Sequence, residues 1–99
     1  MDIQIQTQSF QADQKLKNYI QEKLSKLTKF YHKIESVNVH LKLESKSHQL
    51  NNKIVDITLN VPGSQIHIQE VDRKFEKSTN RAVSNLKRQL KKYKSKLKG

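Results

Sequence analysis

Ninety-nine residues, 33% of them hydrophobic, make one domain with a modest core. A formal net charge of +11 points to a polyanionic partner, either nucleic acid or an anionic membrane. Without cysteine there is no disulfide framework and no thiolate metal site, and no apolar run reaches membrane-spanning length.

The N-terminus, Met1-Asp-Ile-Gln-Ile-Gln-Thr7, begins with an acid and alternates. It has neither the basic region nor the apolar block of a signal peptide, so a cytoplasmic protein is expected. Ile3 and Ile5 alternate with glutamines and predict a short first strand. Asp13 is placed to cap the helix that follows. Leu16, Tyr19, Ile20, Leu24, Leu27, Phe30 and Tyr31 keep a helical period over nearly five turns. Lys15, Lys26, Lys29 and Lys33 fall along one flank of it. Lys23 sits nearer the apolar stripe and has to snorkel outward.

Val37, Val39, Leu41 and Leu43 alternate with Asn38, His40, Lys42 and Glu44 in a second strand. Ser45 to Asn52 is polar and turn-rich. Val55, Ile57, Leu59 and Val61 mark a third strand, Pro62-Gly63 a tight turn, and Ile66 and Ile68 a fourth strand. A second helix is predicted from about Asp72 to Leu97, burying Phe75, Thr79, Ala82, Val83, Leu86, Leu90, Tyr93 and Leu97. Residues near 97–99 are expected to fray.

The fold class is therefore α+β, ordered β-α-β-β-β-α, with a four-stranded mixed sheet. Strands with one apolar and one polar face require both helices on the same side. The first helix is a crossover, so strands one and two are expected to be parallel and joined right-handedly. The later strands follow as antiparallel hairpins. Residues 1–99 form one domain without repeat or linker.

The chemistry of an enzyme is missing. The nine acids are scattered, two glycines make no phosphate loop, and no nucleophile elbow is present. His32, His40, His48 and His67 have no spacing that converges on a metal, so no metal or other cofactor is expected. The helical spacing of Phe30 and Phe75 sends them to the core, and Tyr31 and Tyr93 have room to keep a hydroxyl at the surface. No aromatic stands on a strand, which argues against base stacking on the sheet.

Positive charge is what remains. After Glu76 there is no acid, and Lys77, Arg81, Lys87, Arg88, Lys91, Lys92, Lys94, Lys96 and Lys98 stand unopposed. The apolar stripe of each helix is needed by the sheet, leaving little for lipid, so nucleic acid is favoured over membrane. Lysine outnumbers arginine, which favours contact with phosphate over reading of bases. Composition alone also fits a general double-stranded RNA or nucleic-acid-binding module, or a protein-interaction domain that happens to be basic.

The stretch Leu86-Lys-Arg-Gln-Leu-Lys-Lys-Tyr-Lys-Ser-Lys-Leu-Lys98 resembles the ribosome hibernation-promoting factor family, also called ribosome-associated inhibitor or protein Y. So do Lys23-Leu-Ser-Lys26-Leu, Phe30-Tyr31, Lys33-Ile34, Val39-His-Leu-Lys-Leu-Glu44 and Leu59-Asn-Val-Pro-Gly63, so that the likeness covers essentially the whole chain. The start of the second helix, Lys74-Phe-Glu-Lys-Ser-Thr-Asn80, departs from the family's pattern. The resemblance implies a non-enzymatic factor, a monomer off the ribosome, that binds the small ribosomal subunit where messenger and transfer RNA pass. Occupancy blocks translation in idle or stressed cells. Carried onto this sequence, the ribosomal RNA contacts fall to Lys23, Lys26, Lys33, Arg88, Lys92, Lys94 and Lys96. The chain ends just after the basic helix, so a short form is expected, which in some bacteria acts with a separate ribosome-dimerisation factor.

Overall fold

The computed structural model describes residues 2–44 and 52–98, and its elements follow the order read from the periodicity. They are β1 (Asp2–Gln8), α1 (Gln14–Phe30), β2 (Ser36–Leu43), β3 (Lys53–Val61), β4 (Ser64–Asp72) and α2 (Phe75–Lys98). The predicted turn-rich segment, with His48, lies outside the described residues except for Asn52.

Local chemistry sets the boundaries. The Asp13 carboxylate accepts the Leu16 N–H at 2.8 Å and caps α1. Tyr31, counted as helical from its spacing, is instead the extended C-cap, and its N–H closes the last turn on the Leu27 carbonyl at 2.9 Å. Val61 pairs with Ser64 across Pro62-Gly63. Gly63 takes a φ of 76°, which suits glycine in a turn that proline opens.

The sheet order is β1-β2-β3-β4, with β1 parallel to β2 and the remaining pairs antiparallel. Its register stacks apolar rows. Ile3, Val37, Leu59 and Ile66 form one, and Ile5, Val39, Ile57 and Ile68 the next. Ile20, Leu24 and Leu27 from α1 and Ala82, Leu86 and Leu90 from α2 join these rows in a single core, so both helices cover one face. Each fully buried leucine stabilises the fold by roughly 1.5–3 kcal/mol relative to exposure. On the other face Gln4, Asn38, Thr58 and His67 form one row, and Gln6, His40, Asp56 and Gln69 another. At the start of α2, Phe75 stacks on Phe10 with ring centroids 4.7 Å apart.

Two sequence expectations shift. α2 begins at Phe75 rather than near Asp72, because β4 continues to pair with β3 as far as the Lys53–Asp72 match. Leu97 is 62% exposed although it lies on the core-facing stripe of α2. The 24 residues of α2 run ~36 Å, and its end passes beyond the sheet that the stripe was meant to cover.

Two neighbouring hydroxyls in α2 are fully buried and have opposite circumstances. Ser78 donates to the Lys53 carbonyl at 2.7 Å and ties α2 to β3. Thr79 Oγ1 has no hydrogen-bond partner. Thr79→Val is therefore expected to raise stability by about 1 kcal/mol and Ser78→Ala to lower it by about 1 kcal/mol, read by urea denaturation.

Candidate nucleic-acid interface

Strand direction decides where the charges collect. β1 and β4 run the same way, since two reversals separate β2 from β4 and none separates β1 from β2. Each helix follows one of these strands and returns along the sheet, so α1 and α2 run side by side in the same direction. Their contacts agree. The Tyr19 hydroxyl donates to Asn80 Oδ1 at 2.9 Å near their beginnings, and Tyr31 and Tyr93 meet edge to face at 5.9 Å near their ends. Both C-terminal ends thus lie together, and Lys29, Lys91, Lys92, Lys94 and Lys96 crowd there. Cations are favoured at helix C-termini, where the carbonyl dipoles converge.

The sequence-predicted residues divide into two groups. Arg88, Lys92 and Lys96 are exposed and, at i, i+4 and i+8, form one row along α2. That row points away from α1. Lys23 and Lys26 lie instead on the flank of α1 that faces α2, on the same stripe as Tyr19 and Phe30. Lys26 is exposed, while Lys23 is partly buried and lays its ammonium over the Tyr19 ring at 5.3 Å. This is the snorkelling its position required. Lys33 is exposed just beyond the end of α1. Lys94 faces α1. Its ammonium lies 4.5 Å from the Phe30 ring centroid and 5.8 Å from that of Tyr31, and 3.5 Å from the Phe30 carbonyl oxygen. Lys94 therefore also binds α2 to the end of α1.

Sequence reasoning passed over Lys87 and Lys91, which share this flank with Lys94 at i, i+4 and i+7. Lys87 places its ammonium 5.3 Å from the Phe30 centroid. That spacing was the available signal, but it could not be used without knowing which side of α2 meets α1. Phe30, expected in the core, is only partly buried and carries these ammonium groups on its ring. Tyr31, allowed a surface hydroxyl, is 8% exposed with that hydroxyl buried and unpartnered. Tyr93 donates its hydroxyl to the Pro62 carbonyl at 2.7 Å. Burial, with the facing Tyr31 phenol, holds Tyr93 above the ordinary tyrosine range.

Arg81 is opposed after all. Its guanidinium lies 3.5 Å from the Glu70 carboxylate and 3.2 Å from that of Asp72, both on β4. Asn85 links Glu70 to Arg88 by hydrogen bonds, so the Arg88 guanidinium is oriented while its charge stays exposed. Glu70, Arg81, Asn85 and Arg88 line an open cleft of about 490 Å³. Among the described residues, the ion pairs involve only Arg81 and His67, so no lysine there is matched by a carboxylate.

The opposite face contrasts with this. His67 Nε2 lies 2.7 Å from Asp56 Oδ1, in a carpet of glutamine, asparagine and threonine. No group of three histidine, cysteine, aspartate or glutamate side chains is placed to hold a metal among the described residues. No helix there is long and apolar enough to cross a membrane.

Residues 3–98 match the family described as Sigma 54 modulation protein / S30EA ribosomal protein. The chain belongs to that family, which is also that of ribosome hibernation promoting factor and Protein Y. The ribosome hibernation promoting factor of Salmonella typhimurium is 30% identical over 98 residues, covering 99% of this chain and 98% of that one. A ribosomal subunit interface protein from Coxiella burnetii superposes with a TM-score of 0.86 at 26% identity, over 96% of this chain and 99% of that one. The N-terminal domain of Thermus thermophilus Protein Y shares the fold, with a TM-score of 0.80 at 22% identity over 94% of this chain and 99% of that one.

The Arg73 N–H donates to the Asp72 carboxylate at 2.6 Å. Together with the Arg81 guanidinium, and against some desolvation, this holds Asp72 below its ordinary 3.8. A depressed carboxylate stabilises the fold above its ordinary pKa, and that contribution is lost as pH falls through the folded value. In Arg81→Gln the Asp72 pKa, followed by NMR titration, is expected to rise part of the way and stay below 3.8, because the Arg73 contact remains.

Proposed function

We propose that this protein is a ribosome hibernation factor. It binds the small ribosomal subunit in the channel used by messenger and transfer RNA and blocks translation in idle or stressed cells. The observation that carries the reading is the gathering of unpaired cations from two parallel helices on one side of a family fold. Lys23, Lys26, Lys33, Arg88, Lys92, Lys94 and Lys96 contact ribosomal RNA in this reading. Lysine ammonium groups neutralise phosphates without reading bases, so the surface recognises the shape and backbone of folded RNA. The mechanism is steric exclusion and needs no bond to be made or broken and no cofactor. The protein works in the cytoplasm, where its target is. A separate dimerisation factor, where one exists, is a further partner.

Co-sedimentation with purified ribosomal subunits, with random duplex RNA as competitor, tests the reading. Saturable binding of about one copy per small subunit that resists the duplex is expected. Weak binding removed by the duplex would instead make the chain a general RNA-binding module. With about five phosphates neutralised, the log–log dependence of affinity on salt is expected to have a slope near −4 to −5. The triple substitution Arg88→Ala, Lys92→Ala and Lys96→Ala removes cations outside the core and spares Lys94, which also joins the helices. It is expected to leave thermal unfolding unchanged and to flatten the slope by about 2–3.

A further inference from the structure

Three lysines of one flank of α2, of which the family resemblance singled out only Lys94, gather beside the Phe30 ring. Lys87 and Lys94 direct their ammonium groups at Phe30, and Lys91 lies between them on the same flank of α2. Phe30, Lys91, Lys94 and Ser95 line an open cavity of about 280 Å³ between the helices. Lys91 and Lys94 border the cavity and Lys87 reaches the same ring, and no carboxylate is paired to any of the three among the described residues. Such an arrangement raises the free energy of the empty site and favours an anion.

We infer that this cavity is a preorganised seat for one phosphate of an RNA backbone. Lys87, Lys91 and Lys94 supply the charge, and the Ser95 hydroxyl supplies a neutral donor. Phe30 is the positioning residue. Its ring holds the Lys87 and Lys94 side chains in place, and the Phe30 carbonyl receives the Lys94 ammonium. Lysine otherwise loses much rotamer freedom when it grips a ligand, and prior ordering on the ring reduces that loss. The ring is engaged by cations, so it is not a platform for a stacked base, and the ligand class is phosphodiester rather than nucleobase. The assignment to RNA rests on the ribosome reading; the phosphate site itself does not.

The test has two arms. In the first, inorganic pyrophosphate at low ionic strength is titrated into the folded chain while the lysine ε-methylene resonances are followed by NMR. Those of Lys87, Lys91 and Lys94 are expected to move together along one saturating curve. Those of Lys15 and Lys17, at the other end of α1, should only drift. Phe30→Leu keeps an apolar side chain without the aromatic face. It is expected to weaken pyrophosphate about fivefold while remaining folded by thermal unfolding, and Phe30→Tyr is expected to restore it. Uniform, unsaturating shifts of all lysines, or wild-type affinity in Phe30→Leu, would overturn the site. Lys91→Gln, which carries no contact to the ring, checks the site if Phe30→Leu unfolds, with an expected loss of about threefold.

In the second arm the same variants are bound to small subunits. Pyrophosphate seated as expected, with subunit affinity unchanged in Phe30→Leu and Lys91→Gln, would overturn the assignment to RNA. Pyrophosphate seated by a wild-type chain that binds no subunit at all would instead sink the ribosome reading and leave the phosphate site standing.

Discussion

The parity of strand reversals governs the charge distribution of this molecule. One parallel pair followed by two antiparallel pairs gives β1 and β4 the same direction, and the helices that follow them inherit it. Had one hairpin been lost, the two helices would run in opposite directions and their basic ends would lie at opposite ends of the sheet. With the parity as it is, two carbonyl-rich helix ends and their lysines adjoin. Packing cost is avoided because the apolar rows of the sheet are complete beneath both helices. Hydrophobic burial supplies the stability, and charge is free to be arranged for binding.

The two faces accordingly have different chemistry. The helix side presents lysines that no carboxylate matches among the described residues, and the binding of any polyanion to such a surface depends on salt. The sheet side carries amides, a threonine and two histidines, with Asp56 held by His67. In the proposed reading the helices, which carry these lysines, make the encounter with RNA and the sheet scaffolds them. The arginines follow a division of labour of their own. Arg81 is spent on two carboxylates of β4, while Arg88, seven residues on, is oriented by Asn85 with its charge left to solvent.

Most of this fold is legible in the sequence because the elements are amphipathic and uninterrupted. Strict alternation fixed which residues of β2 and β3 are buried, and Asp13 fixed the start of α1. What periodicity does not contain is where a partner surface ends. Leu97 repeats the stripe of Leu86 and Leu90 faithfully, yet nothing lies beneath it. Arg81 lies five residues past Glu76, yet its partners come from a strand nine and eleven residues earlier. The candidate site was legible only as a list of lysines with Arg88. Its division into an outward row and an inter-helix group was not, because that division depends on the side from which α1 approaches α2. Lys94 looked like one more ligand-facing cation, and tertiary packing gave it a second task on Phe30.

The carboxylates of Glu70 and Asp72 have a consequence beyond anchoring Arg81. β4 is the last strand of the sheet, nine residues long, and its outer edge is open to pairing with a further strand. Glu70 and Asp72 lie on the side of β4 that faces the helices, at 17% and 19% side-chain exposure, each with the guanidinium as its counter-ion. A strand adding to that edge from another copy would have to bring its own side chains up against this charged margin. Inward-pointing charges of this kind are one way in which sheet edges are kept from templating aggregation. The open edge is thus guarded by the same three side chains that anchor the longest helix.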